Sequence, residues 1–311
     1  MSPVALTYPP AAPSLSGDVL TISRFLNSPT AVSRRLRTIA ENRFISDVLL
    51  SGRVEGASIL YETDESIYTN DAPEIVAPGS QYPRTLAPTG TAAIATPPKW
   101  GQEVPITDEE IGRLRMQVVE RNLQKVVNYM VSTIDSTVLA VITSVVTQSI
   151  AALANWNAGT ANPILDLLRA KATIRQLNKG YEPDTVACDD FAYAYVVGNM
   201  NILATMAREA GTTVSMSGAV PVLAGLRILP TPNLPTAGTA LVLDSSALGS
   251  LGYERIPSPD YQGDPASGVE TQVRRNPMSN DEWLVRARRP VVGFVQETGA
   301  ACKITGLGTL T

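Results

Sequence analysis

The stretch from Thr107 to Ala154 constrains this chain more than any other, because no proline interrupts it and its apolar residues keep a helical rhythm throughout. Thr107 is suited to the N-cap position, and Glu110 three residues later completes a capping box. Asp108, Glu109 and Glu110 place negative charge where the helix dipole is positive. Behind them Ile111, Leu114, Val118, Leu123, Val126, Met130, Ile134, Val138, Ile142 and Val145 form one apolar stripe. A single helix over this stretch would be roughly 60–70 Å long, more than the diameter of a compact domain. Beyond Ile134 the apolar residues spread around the helix, which predicts cover on several sides. Such an element is a backbone on which other parts hang.

Composition bounds the function. A chain of 311 residues has room for about two domains, and 44% hydrophobic content supplies an ordinary core. The net charge of −4 argues against a dedicated nucleic-acid binder. Cys188 and Cys302 fit neither a zinc spacing nor a disulfide framework. The first residues lack the basic and apolar regions of a signal peptide, and the charge-free stretch from Ser136 to Pro163 carries too many Ser, Thr, Gln and Asn residues for a membrane span. The sequence contains no histidine, which removes the commonest general base and the usual nucleophile pairs. No phosphate-binding glycine motif occurs. The acidic groups Glu62, Asp64, Glu65, Asp189 and Asp190 lack a calcium-loop spacing and read as solvated carboxylates or a helix start. No catalytic residue, cofactor or metal is expected.

Residues 1–52 read as an arm and a leading helix. Pro9, Pro10 and Pro13 favour an extended arm, and Ser28-Pro29 is a helix start. That helix carries Val32, Leu36 and Ile39 on one face and Arg34, Arg35 and Arg37 on the other. The basic face suits subunit salt bridges, an acidic partner, nucleic acid or plain solvent.

Residues 53–106 read as a long hairpin. Gly56–Tyr68 and Gly90–Ile106 are its two strands, and Pro73, Pro78, Pro83 and Pro88 exclude regular structure from the tip. The segment has too few large apolar residues for its own core, and an isolated ribbon is marginal in water. A chain with two such projections is completed by its neighbours.

From Asn162-Pro163 a helix is predicted with Leu165, Leu168, Ala172 and Leu177 on its packing face. A strand at Thr185–Cys188, a helix capped by Asp189 and running to about Ala210, and two strands within 223–244 make a compact α/β domain. Residues 268–289 form a second hairpin around the turn from Asn276 to Asp281. Pro290–Val295 pairs with Ala300–Ile304 as a further two strands.

This order of parts resembles the major capsid proteins of tailed double-stranded DNA phages, the Hong Kong 97-like fold. Local marks are Leu223-x-Gly225-x-x-Ile228, Leu234-Pro235-x-x-Gly238, the strand Leu241-Val242-Leu243-Asp244, and the closing Arg288-Arg289-Pro290-Val-Val-Gly-Phe294. The resemblance implies an α+β fold in four parts. These are an arm (1–52), an extended loop (53–106), a peripheral domain (107–155 and 262–295) and an axial domain (156–261 and 296–311). It implies pentamers and hexamers tiling an icosahedral shell around phage DNA, with scaffold, portal and possible decoration proteins as partners, assembled in the host cytoplasm. A segment of scaffolding type is not seen at the N-terminus, so a separate scaffold is expected if one is used. Inter-subunit contacts are expected at Arg34, Arg35, Arg37, Pro73, Pro78, Tyr82, Arg84, Arg274, Arg275, Asn276 and Asn280. The rival readings are an encapsulin-type nanocompartment and a carboxylate-dependent hydrolase. Some family members weld subunits from a loop lysine to an asparagine, but no lysine lies between Arg53 and Pro98, so shells held by non-covalent contacts or by a separate cementing protein are expected.

Overall fold

The computed structural model describes residues 22, 25–28, 30–32, 34–35, 44–114, 116–199, 222–263, 268–276 and 281–308. The chain divides into two compact units. One takes the described parts of Met1–Phe44, Pro98–Ile134 and Glu254–Val291; the other takes those of Ile45–Pro97, Asp135–Tyr253 and Val292–Thr311.

The expected long helix is present over most of its length, as α2 (Asp108–Leu114) and α3 (Met116–Val145). The short helix α1 (Ser46–Leu49) precedes them. Thr107 Oγ1 accepts from Glu110 N at 3.3 Å, so the cap forms as predicted. Val118, Leu123, Val126, Met130, Ile134, Val138 and Ile142 are buried, whereas Leu114 and Val145 at the ends of the stripe are exposed. By length and composition alone α3 would also span a bilayer, but it carries Glu120, Arg121, Lys125 and Asp135. Helix stops at Val145, short of Ala154. Gln148–Ala151 is instead a strand, β5, parallel to β14 (Ala301–Thr305). The sheet edge offers that segment a ladder which its helical periodicity did not reveal.

In the first unit β4 (Lys99–Thr107) pairs antiparallel with β13 (Glu282–Val295), from Thr107 opposite Glu282 to Lys99 opposite Pro290. β12 (Glu270–Arg275) flanks the other side of β13, and β11 (Gln262–Gly263) pairs with β12. The second hairpin is therefore as expected, but Pro290–Val295 is the continuation of β13 rather than a separate strand. Pro290 is tolerated because it is the last rung against β4, where a missing N–H costs little.

In the second unit β1 (Gly52–Glu55) runs parallel to β10 (Gly249–Tyr253), and Gly249 lies so close to Phe294 O that a Cβ there would sit 2.2 Å away. A mixed sheet follows in the order β5-β14-β9-β6-β8-β7. Its members β6 (Thr185–Cys188) and β9 (Ala240–Leu243) are buried along their whole length. β7 (Val222–Leu223) and β8 (Leu226–Pro230) form a two-residue hairpin with Ala224 at φ 54° and Gly225 at φ 75°. Both values are those of a type I′ turn, which explains the glycine of the Leu223-x-Gly225 mark. β14 pairs with β9 and β5, not with Pro290–Val295.

Helix α4 (Pro163–Arg175) starts at Asn162 as predicted, with Asn162 Oδ1 accepting from Leu165 N at 3.2 Å. Its packing face is the opposite of the expected one. Pro163, Leu167, Ala170 and Ile174 are buried, while Leu165 and Leu168 are 42% and 43% exposed. The fully buried Asp166 fixes this rotation, accepting from Leu153 N (3.2 Å), Trp156 Nε1 (3.0 Å) and Arg169 Nη1 (3.2 Å). Helix α5 spans Asp190–Gly198 and is followed by extended Asn199; the rest of the helix expected to Ala210 lies outside the described residues. Asp189 occupies the N-cap position without a side-chain capping bond. Its carboxylate meets Gly238 N at 3.5 Å instead.

Candidate assembly surfaces

Strand pairing in the loop is shorter than expected. β2 (Ile59–Thr63) and β3 (Thr91–Ala95) pair over five rungs, from Ile59 opposite Ala95 to Thr63 opposite Thr91. Pro97 and Pro98 then break the return limb before β4 joins β13. One ribbon face packs: Ile59 and Ala95 are buried with Phe294, and the Tyr61 and Phe294 rings lie 4.5 Å apart. The other face carries Leu60 and Ile94 directly opposite one another, 73% and 67% exposed. Gly90 closes the ribbon where a Cβ would meet Thr63 O at 2.7 Å.

Beyond the ribbon the tip contains no strand. Pro73, Pro78, Tyr82 and Arg84 are exposed in it, as are Ile75 and Leu86. A monomer gains nothing by leaving these large apolar side chains in water.

The expected contact residues elsewhere divide into two groups. Arg35 pairs with Glu120 of α3 at 2.6 Å, and Arg34 beside it is exposed. Arg274 is half-buried on β12. Arg275 bridges Asp108 Oδ1 (2.8 Å) and Asp281 Oδ1 (3.2 Å), and these carboxylates, Asp108 foremost, raise its pKa. The Asn276 amide donates to Glu282 Oε1. Arg275 thus ties the second hairpin to the start of α2, while Asn276 closes the hairpin's own turn. Arg37 and Asn280 lie outside the described residues.

Burial pushes the Cys188 thiol up to about 12 and the Cys302 thiol up to about 11, so neither is a ready nucleophile. Among the described residues no group of Cys, Asp or Glu side chains is placed to hold a metal. The sequence reading has Asp64 at the loop stem as a solvated carboxylate and does not single out Asp135 within α3, yet both hold backbone amides of distant segments. An Asp in an acidic loop stretch and a single Asp in an amphipathic helix carry no local signal of a distant partner.

Residues 90–304 match the family model described as phage capsid protein. No curated protein sequence matches the chain. Among solved structures it is similar to a phage-related protein from Bordetella bronchiseptica, with TM-score 0.59 and 11% identity over 90% of this chain and 97% of that one. It is similar to the capsid of cyanophage P-SCSP1u, with TM-score 0.61 and 15% identity over 84% and 88%. A virus-like particle from Pyrococcus furiosus gives TM-score 0.54 and 12% identity over 87% and 98%. At such identities the structural likeness is one of fold, and that fold is the Hong Kong 97-like one.

Proposed function

The chain belongs to the phage capsid protein family, and we infer from this that it is a major capsid protein whose copies assemble into an icosahedral shell around a double-stranded DNA genome. Pentamers and hexamers are its building blocks, closed by head-to-tail contacts. The observation that carries the reading is the extended loop. Its stem packs on its own chain through Ile59, Tyr61 and Ala95, while Leu60, Ile75, Tyr82, Leu86 and Ile94 face water. A neighbouring copy supplies the cover that the chain lacks. The absence of histidine and the raised thiols accord with a structural role.

Scaffold, portal and decoration proteins are the further partners in this reading, with assembly in the host cytoplasm and the finished shell in the virion. DNA is held without sequence preference, as a net charge of −4 per subunit suits a container rather than a clamp. The second reading is a nanocompartment shell with protein cargo; the likeness to the Pyrococcus furiosus virus-like particle is consistent with it, but no closer than the likeness to the phage capsids. Particles purified after infection separate the two. Nuclease-resistant double-stranded DNA inside them supports the capsid, and a co-purifying enzyme without DNA supports the compartment.

A further inference from the structure

The loop stem is held by more than its apolar face. Asp64 adopts φ 52°, a left-handed conformation that short polar side chains tolerate better than others. Its amide donates to Gln296 O at 2.8 Å. Its carboxylate accepts from Thr298 N at 2.9 Å and from Thr298 Oγ1 at 2.8 Å. Thr298 opens a one-turn 3₁₀ helix, Thr298–Ala300, whose own N-cap residue Glu297 makes no side-chain capping bond. Asp64 therefore caps that turn from a distant part of the chain. Glu297 is engaged elsewhere, by the Tyr181 hydroxyl at 2.5 Å and Lys179 Nζ at 3.5 Å. Four residues past Asp64, the Tyr68 hydroxyl donates to Asn178 O. The turns at 178–181 and 296–300 thus make one seat for residues 64–68.

Past Tyr68 the hydrogen bonds change owner. Asn70 N donates to Leu86 O at 3.1 Å, Asp71 N to Thr85 Oγ1 at 3.2 Å, and Ser80 N to Ala77 O at 3.0 Å. All of these stay within the tip. On the return limb Gly90 N is back on the stem, donating to Glu62 Oε2 at 3.3 Å. Between the two sets lie only Thr69, whose hydroxyl turns to Asp71 O in the tip, and residues 87–89.

We propose that the loop is articulated: Asp64 clamps a stem, residues 59–68 and 90–95, as part of the second unit, and the tip, residues 70–86, swings on a hinge at Thr69 and 87–89. The clamp aims the tip and confines its freedom to two short segments, which lowers the ordering cost of docking on a neighbour. That use of the hinge rests on the capsid reading, but the hinge itself does not.

Hydrogen exchange on the full chain, kept dilute and unassembled, tests it. Residues 64–68 should exchange at least tenfold more slowly than 70–86. Asp64→Ala should bring residues 64–68 close to the tip's rate and speed the Thr298 amide about tenfold, leaving the β2–β3 rungs slow. Asp64→Asn keeps one acceptor oxygen and tolerates the backbone, so it should fall between. Thr298→Ala removes only the hydroxyl and serves if Asp64→Ala fails to fold; it should speed residues 64–68 a fewfold. Wild-type exchange at 64–68 as fast as the tip, or no response to any of the three substitutions, overturns the clamp. A wild-type chain that never assembles would count against the shell and leave this exchange pattern readable.

Discussion

Asp135→Ala is expected to be among the most damaging single substitutions in the second unit. Asp135 is completely buried. Its carboxylate accepts from Ile45 N and Ser46 N, each at 3.1 Å, and from Ser46 Oγ at 2.7 Å. It thereby satisfies the free amides at the start of α1, whose preceding residue Ile45 has no capping side chain. Alanine leaves two amides and a hydroxyl without their acceptor, at about 1–3 kcal/mol for each buried group. The hydroxyl can rotate, and the variant escapes the cost of burying a carboxylate, so the net loss should be about 2–4 kcal/mol. Burial pushes the Asp135 carboxyl up, against the hydrogen bonds from Ser46 and Ile45 that pull it down. A raised folded-state value means the folded chain holds this proton more tightly than the unfolded one. The group's contribution is then greatest below the ordinary carboxylate range, near pH 4, and falls as pH rises through the folded value. Urea unfolding of the unassembled subunit, followed by circular dichroism, should show a midpoint lower by about 1 M at pH 7, with a larger gap near pH 4. A loss under about 0.5 kcal/mol, or a gap that widens with pH, would refute the reasoning.

Ala224 sits at φ 54° in the turn between β7 and β8, so Ala224→Gly or Ala224→Asn should raise stability by about 0.5–1 kcal/mol, whereas Ala224→Val should lower it. Asn70 N and Leu86 O are 3.1 Å apart, so residues 71–85 can be replaced by a short glycine linker. Circular dichroism and melting should be unchanged while closed particles fail to form; an unfolded subunit would show that the tip belongs to the core. Lys99 lies opposite Pro290 at the base of the loop, far in sequence from the exposed tip, so particles boiled in detergent should run as one band near 33.1 kDa. A covalent ladder that resists reductant and vanishes in Lys99→Arg would reverse that expectation.

Local chemistry was legible and long-range choices were not. The Thr107 cap, the stripe of α3, the Asn162 start of α4 and the turn at Gly225 all follow from a few adjacent residues, and the structure has each of them. Helix α4 shows the limit. Leu165, Leu168 and Ala172 form the heavier apolar stripe, yet Asp166, bonded to Trp156 and Leu153, turns the lighter one inward. The end of α3 was missed because Gln148–Ala151 gains a partner, β14, from the far end of the chain. Among the expected contact residues, the prolines of the tip, Tyr82 and Arg84 are exposed. Arg275 is engaged with Asp108 of α2 and Asn276 with Glu282 of its own hairpin, which their position beside a turn did not foretell. Asp64 and Asp135 act on partners 234 and 89 residues away, beyond the reach of any sequence window.

Negative-stain microscopy of the purified chain, paired with light scattering on the same sample, tests the central claim most directly. Closed shells of uniform size, or rings that tile into them, are the predicted result. A sharp, monodisperse species at 33.1 kDa, with no particles at any concentration, would contradict it.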